Sequence, residues 1–134
     1  MAQTSSNLQT KILQLKKSFI EQLPSRLSDI GQRLERVKQC TEYDEQLTGD
    51  LFRAYHSLKG ASRSFGFDAL AQEASVSEQL TQGLFNSRSL LSEHKQHTLH
   101  EALEQLEAKA ELLQQVDLDV QRPYTSPSFE MSQI

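Results

Sequence analysis

The chain has 134 residues, enough for one domain with a modest core of packed helices. Its formal net charge of -4 argues against DNA or RNA as the main partner, because phosphate binding needs a basic patch. Hydrophobic residues make up 37% in short runs, so no membrane span is expected, and MAQTSSNLQT lacks the charged start and apolar stretch of a signal peptide. These features fit a soluble cytoplasmic protein. The single cysteine, Cys40, cannot form an internal disulfide and reads as a small hydrophobe or a surface bystander.

No run alternates apolar and polar residues long enough to be a strand, so an all-α fold is expected. The first helix should cover about residues 8–22, with Leu8, Ile12, Leu15 and Phe19 on one stripe. Pro24 should break the hydrogen-bond ladder and open a second helix over about 25–40. There Leu27, Ile30, Leu34 and Val37 step by three and four, as one buried face requires. After the polar loop TEYDEQ comes a third helix over about 49–65, capped by Thr48 and ended by Gly66. A fourth covers about 68–85 and is buried through Leu70, Ala74, Ser77, Thr81 and Leu84. The loop NSRSL follows. Ser92 then caps a fifth helix over about 93–116, with Leu99, Leu103, Leu106, Ala110 and Leu113 as its stripe.

Each stripe must be buried against its neighbours, and short loops make neighbours antiparallel. The expected architecture is an antiparallel up-down four-helix bundle with an additional short N-terminal helix over one end. Residues 1–116 form this domain. Residues 117–134, DLDVQRPYTSPSFEMSQI, lose periodicity and carry two prolines; they read as a C-terminal tail or linker, with Val120, Tyr124 or Phe129 available for packing. A bundle whose stripes are satisfied internally is expected to be a monomer.

The stretch AYHSLKGASRSFGF, residues 54–67, raises a question about chemistry. Gly60 stands in mid-helix, one turn after His56, at a cost of about 0.5–1 kcal/mol relative to alanine. On a helical wheel with His56 at zero, Ala61, Ala54, Phe65, Leu58, Leu51, Ser62 and Tyr55 fall between about 140° and 260° and form the core face. Phe52, Lys59, Gly60 and Arg63 fall within about 60° of His56, on the other side. The imidazole should therefore point into water. Gly60 clears space beside it, and Lys59 and Arg63 place positive charge where an anion would sit. Phe52 is either part of a docking surface or a partly covered rim residue.

Neutral imidazole is a good nucleophile near neutral pH, because its unperturbed pKa is about 6.5. A carboxylate accepting one ring N–H would fix the tautomer and leave the other nitrogen free. Glu78, on the flank of the fourth helix, is the candidate; the alternative is a surface carboxylate out of contact with His56. No glycine-rich phosphate loop is present, and there is no room for a nucleotide-binding domain. The chain should receive and pass on a phosphoryl group without kinase activity of its own. His94, His97 and His100 recur every three residues, but the outer two lie about 120° apart around a helix, so no metal site is expected there.

His56-Ser57-Leu58-Lys59-Gly60, then Ala61 and Ser62, with Gly66 ten positions after the histidine, resembles the H-x-x-K-G pattern of histidine-containing phosphotransfer (HPt) domains of phosphorelays. HSLKGASRSFGF is especially similar to the phosphotransfer domain of chemotaxis histidine kinases, which carries a glutamate 22 positions after the histidine; Glu78 matches. That subgroup often has a second histidine 19 positions on, where this chain has Ser75. FIEQLPSRLSDI, residues 19–30, resembles the family's N-terminal helix pair. The resemblance covers about residues 8–115. It implies that His56 accepts a phosphoryl group on a ring nitrogen and exchanges it with an aspartate of a response-regulator receiver domain, downstream of a hybrid histidine kinase. Lys59, Gly60, Glu78 and Arg63 would complete the site, and Phe52, Lys59, Gly60 and Arg63 the docking surface. No cofactor belongs to this chain; Mg²⁺ is expected on the receiver. A non-transferring helical adaptor that docks a receiver or kinase domain is the alternative.

Overall fold

The computed structural model describes residues 2–115, with side chains from Asn7 onward. Four helices account for nearly all of them: α1 Ala2–Lys38, α2 Glu45–Ser64, α3 Asp68–Ser87 and α4 Glu93–Gln114. There is no strand among the described residues. Each helix packs against two others, in the cyclic order α1, α2, α3, α4 and back to α1, which makes a four-helix bundle. The apolar stripes meet at the centre. Leu27, Ile30 and Leu34 of α1 face Leu51, Tyr55 and Leu58 of α2, Leu70 and Leu84 of α3, and Leu99 and Leu106 of α4 within one buried cluster. Burying each such leucine contributes about 1.5–3 kcal/mol, so the shared core stabilises helices that would be marginal alone.

The expected break at Pro24 does not occur. One continuous α1 replaces the two helices foreseen on either side of it, so there is no separate N-terminal helix among the described residues. A proline at this position removes the N–H that would bond the Ile20 carbonyl. Gln114, at the end of α4, donates its Nε2–H to that same carbonyl. The acceptor orphaned within α1 is thus satisfied from a neighbouring helix. Leu23 and Leu27 are buried on either side of the proline, so packing holds the helix across it.

α2 begins a turn earlier than expected. Asp44 is its N-cap, accepting from the Leu47 N–H at 2.9 Å, while Thr48 is buried inside the helix. A carboxylate satisfies an orphan donor and also faces the positive end of the helix dipole. Gly66 does end α2. With φ of 83° it adopts the left-handed conformation that reverses the chain, and the Phe67 N–H reaches back to the Ser62 carbonyl at 2.8 Å. α3 runs two residues past its expected end and stops at Arg88, itself left-handed with φ of 52°. The Arg88 guanidinium bonds Glu45 at 2.8 Å and lies 5.0 Å from the Tyr43 ring, contacts that offset part of the backbone strain. Ser92 caps α4 as expected, accepting from the Lys95 N–H at 3.3 Å. The expected helix end at Val116 and the tail 117–134, with Val120, Tyr124 and Phe129, lie outside the described residues.

Contacts between neighbours fix the lateral order. Arg26 meets Ser57 at 2.7 Å and Arg33 approaches Asp50 at 3.9 Å between α1 and α2. Lys38 meets His100 at 2.8 Å between α1 and α4, and Lys109 approaches Glu73 at 3.9 Å between α4 and α3. No helix among the described residues is long and apolar enough to cross a membrane.

Candidate functional site

His56 sits near the middle of α2. Tyr55 and Leu58 beside it are fully buried, which locks the rotation of the helix and turns the imidazole outward. Its side chain is 64% exposed. One turn on, a Cβ added at Gly60 would meet nothing within 4 Å, and the backbone there is ordinary helix. Neither packing nor φ requires glycine at this position. What glycine provides is open surface beside the ring.

Glu78 comes from α3. The buried face of that helix consists largely of small residues, among them Ala74, Ser77 and Thr81, and the distance between packed helices follows the size of the side chains at their contact. The carboxylate is buried, at 6% exposure, and both of its oxygens are occupied. Oε2 bonds Nδ1 of His56, and Oε1 accepts from Nζ of Lys59 at 2.6 Å. Of the two sequence readings of Glu78, the structure therefore gives contact with His56. Burial by itself would push the Glu78 carboxyl up. The hydrogen bonds from Lys59 and His56, with their charges, outweigh that and hold it below the ordinary carboxylate range.

An ionised carboxylate only accepts, so Nδ1 must carry the proton. In the neutral ring the lone pair then resides on Nε2. Among the described residues Nε2 bonds no side chain, and it lies on the exposed side of α2. Lys59 is more covered than the histidine, with 21% of its side chain exposed. Its ammonium reaches across to the Glu78 carboxylate on α3, the same group that bonds the imidazole.

Phe52 proves to be a half-buried rim residue. Its ring lies 6.0 Å from the His56 ring at an interplanar angle of 27° and 6.4 Å from Phe85 at 13°. Phe85 was missed by sequence reasoning, although it stands seven residues after Glu78 and hence on the same side of α3. Arg26 was missed too. Its Nη2 donates to Ser57 Oγ, beside His56 in the chain, at 2.7 Å, across 31 residues of sequence that carry no local signal of the contact. With Arg33 and Arg53 it lines a hollow of about 310 Å³ between α1 and α2.

Arg63 is not drawn into the cluster. It is exposed, makes no ion pair among the described residues, and lines a separate hollow with Asp68, Gln72 and Ser75. At 1.5 Å per residue it lies about 10 Å along α2 from His56. On α4, His97 pairs with Glu101 at 3.2 Å and His100 with Lys38 at 2.8 Å, so these two rings are engaged with different partners. No three potential metal ligands converge among the described residues.

A single exposed nucleophilic nitrogen, a carboxylate holding the opposite nitrogen, an ammonium alongside and a gap for an incoming group make an arrangement suited to accepting a transferred anion. The family model described as Hpt domain matches residues 14–109 of the chain. Among curated proteins and solved structures, none matches.

Proposed function

Because the chain belongs to the Hpt domain family, whose members carry phosphoryl groups in phosphorelays between kinases and receiver domains, we propose that His56 is the residue that carries the group here. The observation that carries this reading is the double engagement of Glu78, which leaves Nε2 of His56 as the free, exposed nitrogen.

The step is a displacement at phosphorus. Nε2 attacks the phosphoryl group of a receiver phospho-aspartate, the N–P bond forms, and the P–O bond to the aspartyl carboxylate breaks. The Nδ1 proton stays in place, and the Glu78 charge stabilises the positive charge that develops on the ring. Lys59 neutralises the phosphoryl oxygens once the group has arrived. Gly60 gives the receiver clearance, and Phe52 supports the imidazole ring at the edge of the docking surface. Arg63 is an outlying docking cation. Mg²⁺ and the acidic cluster that binds it belong to the receiver, so this chain supplies positioning and charge. The reverse reaction returns the group to an aspartate. A hybrid histidine kinase is the proposed upstream donor.

The proposed unit is residues 1–116, acting as a monomer, with 117–134 as tail or linker. Its helices run alternately up and down. The contacts Arg26–Ser57 with Arg33–Asp50, and Ile20–Gln114 with Lys38–His100, support opposite directions for α1 against both α2 and α4.

Receiver domains charged with labelled acetyl phosphate test the proposal. Acid-labile, base-stable label should appear on the chain and be absent from His56→Gln. Stable binding to a receiver without any label would identify an adaptor instead.

A further inference from the structure

α1 outruns the bundle. It has 37 residues against 20 to 22 in the other helices, so it extends about 55 Å against about 30–33 Å. Its contribution to the core begins at Phe19. Before that point Leu8, Ile12 and Leu15 follow one another at spacings of four and three, and they are 58%, 43% and 58% exposed. This is an amphipathic stripe with nothing packed on it among the described residues. It runs directly into the aromatic end of the bundle, where Phe19 lies 5.3 Å from Phe65 and 5.8 Å from Phe67.

We infer that the stripe Leu8–Ile12–Leu15 is the docking face for residues 116–134 of the same chain. Stability is the first reason. The extension opens with Ala2 and Gln3 but continues with Thr4, Ser5, Ser6 and Asn7, four weak helix formers, and has no acidic residue in its first turn. An uncovered helix end that opens this way frays in water, so cover on the stripe would stabilise it.

Position is the second. The bond from Gln114 to the Ile20 carbonyl pins the end of α4 at the base of the extension, so the chain beyond residue 115 departs there. Leu15 lies about 8 Å and Leu8 about 18 Å further along α1. An extended chain gains about 3.3 Å per residue, so Val120 reaches about 17 Å and Tyr124 about 30 Å. Val120 therefore reaches Leu15 and Ile12, and Tyr124 reaches past Leu8.

Charge selects between occupants. Lys11, Lys16 and Lys17 lie in the extension, with no acidic residue before Glu21. A second copy of the extension would bring like charges together. Residues 117–134 carry Asp117, Asp119 and Glu130 against the single Arg122, and supply Val120 and Tyr124 as apolar anchors.

Amide hydrogen exchange on the full-length chain tests this, with Val120→Asp/Tyr124→Asp as the variant. Residues 8–18 should be protected in the parent chain, equally at low and high protein concentration. In the variant they should exchange about tenfold faster or more, while α2, α3 and α4 keep their protection. Equal exchange of 8–18 in both proteins overturns the inference. So does protection that grows with concentration alongside a dimer in sedimentation, which assigns the stripe to a second copy.

Discussion

Replacing Glu78 with alanine separates control of the imidazole from control of the fold. The change removes the acceptor for two charge-assisted bonds, from Nδ1 of His56 and from Nζ of Lys59. A bond to a charged group contributes about 1.5–3 kcal/mol net when its partners are dry. The His56 side chain is 64% exposed, so water replaces part of the interaction and the lower end of that range applies. About 1.4 kcal/mol corresponds to tenfold in rate, so phosphorylation of His56 should slow about tenfold. Stability should change less, by about 1 kcal/mol or under, because the Lys59 ammonium can turn to solvent and alanine favours helix. Phosphoramidate, which phosphorylates imidazole without a partner protein, gives the rate, and ¹⁵N shifts of the ring report the tautomer. The ring should pass from one Nδ1–H form to a mixture. Glu78→Gln, which keeps an acceptor oxygen but no charge, should fall between alanine and the parent. A folded alanine variant with the parent rate and an unchanged tautomer would refute the role assigned to Glu78.

Gly60→Ala should raise stability by about 0.5–1 kcal/mol, and the thermal midpoint by a few degrees, because the added Cβ meets nothing. Transfer from a phosphorylated receiver should slow severalfold while labelling by phosphoramidate holds; unchanged receiver transfer would remove the clearance argument. Gln114→Leu leaves the Ile20 carbonyl without its side-chain donor and should cost about 1–3 kcal/mol in urea unfolding. In a Pro24→Ala background α1 supplies its own N–H to that carbonyl, so the same change should then cost less than about 1 kcal/mol; equal costs in both would show the carbonyl is not the reason. The lowered pKa of Glu78 means the unfolded chain binds its proton more readily than the folded one. Its contribution to stability is complete above the ordinary glutamate value of 4.5 and is lost as pH falls through the lower folded value. Glu78→Gln should therefore flatten the urea midpoint against pH over that acid range, and curves parallel to the parent would count against the pairing.

Periodicity alone placed the core stripes of α2, α3 and α4 and of α1 from Phe19 onward, because a residue three or four positions on falls on the same face whatever it packs against; it could not tell that Leu8, Ile12 and Leu15, on the same stripe as Phe19, are exposed, because nothing in the period says where the neighbouring helices end. It also turned His56 outward and left Gly60 as open surface, since both follow from rotation about one helix axis. Gly66 was legible for a local reason, the left-handed φ that favours glycine. The first error was local reasoning applied to a non-local problem. Pro24 does remove a hydrogen bond from α1, but the replacement comes from Gln114 on α4, 94 residues away from Ile20. The same distance hid Arg26 from the His56 neighbourhood.

Glu78 marks the boundary between the two kinds of information. Its place on the flank of α3 made it a candidate and its spacing after His56 matched the family that the chain resembles, but contact and isolation both stayed open. Only the packing of α2 on α3 decided that one carboxylate would hold both the imidazole and Lys59, and that Arg63 would stay apart. The sequence by itself determined which face of each helix is apolar and which is polar, and within the bundle that settled what turns toward the core. Tertiary structure decided which outward groups of different helices meet, because that depends on the separation and register of helix axes, quantities no single helix contains.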